Sequence, residues 1–307
     1  PCHPSGNISY LIDSSKVENV LLIVLESFSA KTVGFISGEK YGSTPNLDAI
    51  MQAGIAYTNA YAASFRSDKG LLALTTGVPS GARQTLTNFP DKLANQPNIF
   101  KILNERYATS FYYGGNLEFA NIKVLFQDAG MQMAESDFAS ENNNAWGVHD
   151  EVVFEQFTHD FLAEEKPQFK MMFSLSSHEP FDVPNFNRKE DPYLNSIAYT
   201  DSCLGVLMAK IRKSDKWANT LIILTADHGT IRPDKPAIYD ASNFKIPLVI
   251  TGGVVKRDTI ISSVVSQMEI PATISQCALG IHPFEQNTLL KPSQRAFYSF
   301  YNGITYI

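Results

Sequence analysis

The chain is short of cysteine, of positive charge and of long apolar runs. Its 307 residues hold three cysteines, Cys2, Cys203 and Cys277, far apart and with no CxxC or Cys/His spacing. A disulfide framework and a zinc knuckle are thereby excluded. Cys203 and Cys277 stand in apolar surroundings and read as small core residues. Basic residues number 25 against 31 acidic ones, a net charge of −6. That is not the electrostatic footprint of a duplex-binding protein, and no nucleic-acid partner is expected. A phosphate-bearing substrate remains open, because one bound cation outweighs the global sign locally. No apolar run approaches the ~18 residues of a membrane span, and no secretory signal stands at the start. Repeats, heptads and low-complexity tracts are also missing. What is plentiful is apolar residue, at 44% against 18% charged. This supports a sizeable core and argues against a disordered, collagen-like or coiled-coil chain.

The apolar residues come in short β-branched runs followed by helix-like stretches. Val20-Leu21-Leu22-Ile23-Val24-Leu25 is continuous rather than alternating, as expected of a strand buried on both faces. Thr44 as N-cap and Pro45 in the first turn open a helix that carries Leu47, Ile50 and Met51 inward and closes at Gly54. Strands are predicted at 55–62, 108–113, 169–175, 220–225 and 246–251. Helices are predicted at 68–76, 98–107, 149–165 and 195–213, with loops at 80–97, 134–147, 180–193 and 229–244. Such alternation argues for a three-layer α/β/α fold around a largely parallel sheet. In that architecture a site forms outside the carboxyl ends of the strands.

Four strand ends carry chemistry. The first strand ends in Glu26, the one at 220–225 in Asp227-His228-Gly229, the one at 169–175 in Ser176-Ser177-His178, and the one at 55–62 runs into Arg66-Ser67-Asp68-Lys69-Gly70. Carboxylate and imidazole together suit a borderline divalent ion such as Zn²⁺ or Mn²⁺. Ser67 stands where an N-cap belongs, so a phosphate held there meets free helix N–H groups. A metal against its oxygen would turn a poor nucleophile into a competent one. Each residue also has an ordinary use: Glu26 as a surface carboxylate, Ser67 as a cap, Asp-His-Gly as a turn, His178 as a loop histidine. Their convergence on one edge favours the functional reading.

Taken together, Asn19 to Phe28, Ser64 to Gly70, Tyr113-Gly114-Gly115 with Phe119, Trp146-Gly147, Ser176 to Phe181, Ala198 to Ser202, Thr225 to Gly229 and Ile246 to Gly252 resemble the lipoteichoic-acid-synthase-like branch of the sulfatase/alkaline phosphatase superfamily. The matches keep their order over nearly the whole chain. The resemblance implies an alkaline-phosphatase-like fold. It also implies one divalent ion, manganese first and zinc or magnesium as alternatives, held by Glu26, Ser67, Asp227 and His228. It makes Ser67 the nucleophile and His178 a contact for the substrate phosphate. Family members are usually anchored by N-terminal transmembrane helices with the catalytic domain outside the cytoplasmic membrane. On that analogy the blunt ends at Pro1 and Ile307 read as cuts, and residues 1–307 as one catalytic domain of a longer protein.

Two departures narrow the substrate. Sulfatases carry Cys-x-Pro-x-Arg, whose first residue becomes formylglycine; Ser67-Asp68-Lys69-Gly70-Leu71 lacks the Pro and the Arg, which argues against sulfate-ester hydrolysis. Lipoteichoic acid synthases grip glycerol phosphate with Phe-Trp-Asn-Arg, where this chain has Phe119-Ala120-Asn121-Ile122. Ile122 cannot supply the forked hydrogen bonds of an arginine. Arg66, Lys69 and Lys123 are candidates for that charge, Asn121 for substrate contact, and Trp146 for pocket lining or core packing. The expected activity is phosphoglycerol transfer or phosphodiester hydrolysis on an anionic phospholipid or glycan of the bacterial envelope. Phosphoethanolamine transfer, another ester hydrolysis within the superfamily, and a non-catalytic envelope binding domain are the alternatives.

Overall fold

The structure, a computed structural model, describes residues 9–38, 40–140 and 143–307; Cys2 falls outside them. Strands are β1 (Asn19–Leu25), β2 (Ile55–Tyr61), β3 (Ala108–Tyr113), β4 (Met131–Met133), β5 (Asn143–Asn144), β6 (Gly147–Val148), β7 (Gln168–Phe173), β8 (Thr220–Ala226), β9 (Lys245–Thr251), β10 (Thr259–Ile261), β11 (Val265–Ser266), β12 (Phe297–Phe300) and β13 (Gly303–Tyr306). Helices are α1 (Gly34–Ser37), α2 (Pro45–Gln52), α3 (Ser67–Thr76), α4 (Pro90–Leu93), α5 (Ile99–Leu103), α6 (Asp150–Ala163), α7 (Pro192–Arg212) and α8 (Ile270–Leu279).

One sheet runs β10-β2-β9-β8-β1-β7-β3-β4, with β11 continuing beside β2. The continuous apolar runs occupy its centre: every residue of β1 and β8 is buried, as both faces are covered. Helices α2, α6 and α7 pack on one another, as do α3, α5 and α8, and these groups flank the sheet. The fold is thus a three-layer α/β/α arrangement around a mostly parallel sheet. Cys203 and Cys277 are free and buried. Among the described residues no helix is long and apolar enough to cross a membrane.

Strand direction fixes the site. β9 runs antiparallel to both β2 and β8. Hence β2 runs the same way as β8, β1 and β7, and the four carboxyl ends open on one edge. Register sharpens this: Leu25 pairs with Ala226, and Val24 with Phe173. Glu26 therefore emerges beside Asp227 on one side and the turn after Phe173 on the other.

Several boundaries differ from the sequence reading. The helix predicted at 98–107 spans only Ile99–Leu103, and Tyr107 beyond it turns its hydroxyl onto Val17 O and Ala278 O. The long helix starts at Pro192 rather than 195, where Asp191 caps it by accepting from Leu194 N. Ser67 is the first helical residue of α3 and Arg66 takes the capping position, with no side-chain cap bond. The loop at 80–97 contains the single turn α4 and a 3₁₀ turn at Leu86–Asn88.

Candidate active site

The strand-end groups form one buried cluster. Donor atoms of Glu26, Asp227 and His228 all lie within 4.8 Å of one another. His228 Nε2 is 3.3 Å from Asp227 Oδ2 and 3.7 Å from Glu26 Oε1. Ser67 Oγ lies 3.3 Å from Glu26 Oε2 and 3.4 Å from His228 Nε2. These four residues, from three separate strand ends of the sequence pattern, meet as the strand-end argument requires.

The backbone around them is bent to hold each group. Ser27 adopts φ = 55°, in the left-handed region, and its N–H donates to Asp227 Oδ1 at 2.9 Å while its hydroxyl donates to Glu26 Oε1 at 2.6 Å. His228 N donates to the same Oδ1 at 2.8 Å. Ser174 Oγ accepts from Glu26 N, and Ser177 Oγ donates to Glu26 O. His228 Nδ1 lies 2.8 Å from Gly229 O. A carbonyl only accepts, so Nδ1 carries the proton and the Nε2 lone pair faces the cluster.

This set fits a divalent cation. Asp227 Oδ2 is fully buried and has no hydrogen-bond partner, a state that costs free energy unless something else satisfies it. Burial pushes the Asp227 carboxyl up to about 7, with the Glu26 charge adding to the rise and His228 opposing it. Burial alone would lower the His228 pKa, but the Asp227 and Glu26 carboxylates outweigh it and raise it. Two crowded carboxylates and an aimed imidazole make a hard-to-borderline donor set, suited to Mn²⁺, Zn²⁺ or Mg²⁺.

Ser67 is placed by contacts that the sequence did not disclose. A Cβ on Gly70, one turn along α3, would lie 2.0 Å from Asp227 O. Only glycine lets α3 approach the β8 end so closely. Gln267, fully buried, donates to Ala226 O at 2.8 Å and Asp227 O at 2.7 Å, and accepts from Ala63 N at 3.2 Å. It ties the segment leading to Ser67 to the turn that carries Asp227 and His228. Asp150, at the start of α6, accepts from Leu175 N, Ser176 N and Thr200 Oγ1, fixing the turn that carries His178. No motif flags Gln267 or Asp150; a buried polar residue at a strand end becomes informative only once its neighbours are known.

Above the cluster opens a cavity of about 430 Å³, walled by Ser67, Arg66, Phe119, His178, Phe181 and Arg232 among others. Arg232 lies over the Phe181 ring, its guanidinium carbon 4.9 Å from the centroid, and the sequence reading did not single it out. Arg66 uses Nε on Asp68 Oδ1 at 3.0 Å and leaves the rest of its guanidinium at the cavity. His178 Nδ1 lies 2.8 Å from Glu179 O. Trp146 stands behind His178, ring centroids 4.7 Å apart, with Nε1 donating to Glu179 O at 2.7 Å. It is 38% exposed, so core packing is not its role.

The other candidates for substrate charge point elsewhere. Lys69 is only 4% exposed and donates to Gly81 O at 2.7 Å and Ala82 O at 2.8 Å. Its ammonium holds a loop instead of facing the cluster. Asn121 has φ = 55° and donates from its amide to Thr87 O. Lys123 pairs with Glu118 at 2.8 Å on the surface.

Comparison with known proteins agrees with this geometry. Residues 18–281 match the Sulfatase family. Phosphoglycerol transferase I of Xanthomonas euvesicatoria pv. vesicatoria (strain 85-10) is 21% identical over 261 residues, 76% of this chain and 37% of that protein. A solved protein of the alkaline phosphatase superfamily from Vibrio parahaemolyticus superposes with a TM-score of 0.86 at 27% identity, over 99% of this chain and 78% of that one. The lipoteichoic acid synthase LtaP from Listeria monocytogenes superposes with a TM-score of 0.80 at 18% identity, over 97% and 82% respectively, a likeness of fold. The chain spans well under half the length of the curated relatives it matches.

Proposed function

The chain belongs to the sulfatase family, and from that premise we propose that it is a divalent-metal-dependent phosphotransferase or phosphodiesterase acting on lipid or glycan phosphodiesters of the bacterial envelope. The observation that carries this reading is the unpartnered, fully buried Asp227 Oδ2, set beside His228 Nε2, Glu26 and the Ser67 hydroxyl. Similarity to a phosphoglycerol transferase over three quarters of the chain supports phosphodiesters as the substrate class. The segment Ser67 to Leu71, without the Pro and Arg of the formylglycine motif, disfavours sulfate esters.

One divalent ion held by Glu26, Asp227 and His228, manganese first, would lower the pKa of the Ser67 hydroxyl and offset phosphoryl charge. Ser67 Oγ attacks phosphorus in line, and the bond from phosphorus to the leaving alcohol breaks. Glu26 Oε2, at 3.3 Å, is the nearest acceptor for the serine proton. The N-terminus of α3 presents unpaired N–H groups to the phosphoryl oxygens. His178 Nδ1–H is engaged by Glu179 O, so its free Nε2 donates to a phosphoryl oxygen or to the leaving alcohol only as imidazolium. An acceptor hydroxyl or water then attacks the phosphoserine, breaks the Oγ–P bond and returns Ser67.

The test is turnover of bis(4-nitrophenyl) phosphate with Mn²⁺ by the native chain and by Ser67→Ala. Turnover by the native chain alone is expected. Equal turnover by both removes Ser67 from the reaction, and turnover by neither favours a binding domain.

A further inference from the structure

Lys31 stands shortly after β1, in a 3₁₀ turn at Ala30–Thr32, and takes no part in the chemistry above. The turn is held by Ser29, whose Oγ accepts from Lys31 N and whose carbonyl accepts from Thr32 Oγ1. The Lys31 side chain is half-buried, and its ammonium donates to Thr230 O at 2.9 Å and to Asn243 Oδ1 at 2.8 Å. Those acceptors are the two ends of the loop that leaves the Asp227-His228-Gly229 turn and returns to β9. One side chain rooted beside the exit of β1 therefore clamps both ends of a loop rooted at the exit of β8.

The rest of the loop is arranged around the same two points. Asn243 turns its amide inward and donates to Ala237 O at 2.8 Å. Just past it, Phe244 O accepts from Ala62 N at 2.8 Å, in the segment leading to Ser67. The middle of the loop is open, with Ile238 and Tyr239 exposed. Near its start, Ile231 and Arg232 line the catalytic cavity. Arg232 has little else to hold it. Its guanidinium lies over the Phe181 ring, and its Nη2 is 3.5 Å from Glu179 Oε1, an exposed carboxylate. An exposed ion pair of that kind fixes little. The placing of Arg232 therefore falls to the loop backbone, and the backbone is clamped by Lys31.

We propose that Lys31 is a positioning residue: by clamping the ends of the 230–243 loop it holds Arg232 toward the phosphoryl group above Ser67. Arg232 is the group that touches substrate, and Lys31 acts through it. A guanidinium already stacked on a ring loses little freedom when it meets an anionic oxygen, provided that its backbone stays in place. Bonds from an ammonium are roughly twice as strong as neutral ones, which suits a clamp on an otherwise open loop. Methionine, of similar length, would leave Thr230 O and Asn243 Oδ1 without that donor. The proposal rests on the phosphodiester reading above and adds two residues that its mechanism does not contain.

The test measures turnover of bis(4-nitrophenyl) phosphate by the Mn²⁺-loaded native chain, Lys31→Met, Arg232→Ala and the double variant, with Mn²⁺ affinity followed by titration calorimetry. A charge-assisted contact to phosphate is typically worth about tenfold in binding. Lys31→Met and Arg232→Ala are each expected to raise KM by about that factor, with kcat and Mn²⁺ affinity largely kept. The double variant is expected to be no worse than Arg232→Ala alone, because residues acting as one unit are not additive. An unchanged KM in Lys31→Met overturns the proposal. So does a rise of roughly hundredfold in the double variant, which would give the two residues separate roles. Loss of Mn²⁺ binding in Lys31→Met would make Lys31 a support of the ligand cluster itself, and would also overturn it. If the native chain shows no turnover, the proposed function fails, and titration of the Mn²⁺-loaded chain with inorganic phosphate decides the clamp separately. About tenfold weaker phosphate binding by Lys31→Met than by the native chain supports it; equal binding, or none by either, overturns it.

Discussion

The candidate metal cluster and the wall that faces it across Arg66 are built on opposite principles. Glu26, Asp227 and His228 are buried, emerge directly from β1 and β8, and are fixed by strand register and backbone N–H groups. The facing wall comes from loops and a hairpin turn, where Arg83, Asn88, Tyr301 and Asn302 are exposed. The first region has almost no freedom to vary, because each of its residues is anchored at the end of a strand buried along its whole length. The second can change residue by residue without disturbing the core. On the proposed function, chemistry would be placed by the fold and specificity by what the fold leaves free.

The largest test of that contrast is Ser67→Ala, expected to lower phosphodiester turnover on the order of a thousandfold or more with Mn²⁺ affinity largely kept. A loss below tenfold would merge the two regions, leaving no privileged group at the strand edge. Next is Asp227, probed through pH. Its carboxyl, raised to about 7 from an ordinary 3.8, is protonated below that value and cannot then ligate. Mn²⁺ affinity, measured by titration calorimetry, should therefore fall about tenfold per unit as pH drops below 7 and level off above it. In the metal-free chain the sign reverses: folding stability should decrease as pH rises from about 4 to 7, since only the unfolded carboxyl ionises freely there. A flat affinity profile would count against the buried carboxyl as a ligand.

Gly70→Ala lies between the regions, since α3 bears Ser67 and touches the β8 turn. Forcing a Cβ against Asp227 O should cost about 1–3 kcal/mol in denaturant melts and displace Ser67, with turnover falling well beyond what that stability loss explains. Wild-type turnover would mean that the close approach is incidental. Smallest is Trp146→Phe, which keeps a ring beside His178 but removes the bond to Glu179 O. A net hydrogen bond is worth about 1 kcal/mol, so a change of several-fold in KM is expected, with metal affinity untouched.

The same contrast explains what could be read in the sequence. Glu26, Asp227 and His228 follow continuous apolar runs, and such runs mark buried strands whichever fold contains them. Direction is another matter: Ile246 to Thr251 looks like its neighbours, yet β9 runs antiparallel, because an apolar run carries no sign of its pairing. Helix α8 is buried at every position but Gln276 and Leu279, so Ile270 to Leu279 offers almost no solvent face to set against the core. Strands β10 and β11 have three and two residues, too few for any pattern. Lys69 and Arg232 show why charge near a motif is ambiguous. The nearer residue in sequence is spent on Gly81 O and Ala82 O, while the one three residues past Gly229 reaches the cavity.

The central claim is that Glu26, Asp227, His228 and Ser67 surround one divalent ion. Crystals grown with Mn²⁺ and measured at its absorption edge test this directly. The account predicts a single anomalous peak within coordination distance of both carboxylates, His228 Nε2 and Ser67 Oγ. Saturating Mn²⁺ with no peak there, or with the ion bound only elsewhere, would contradict it.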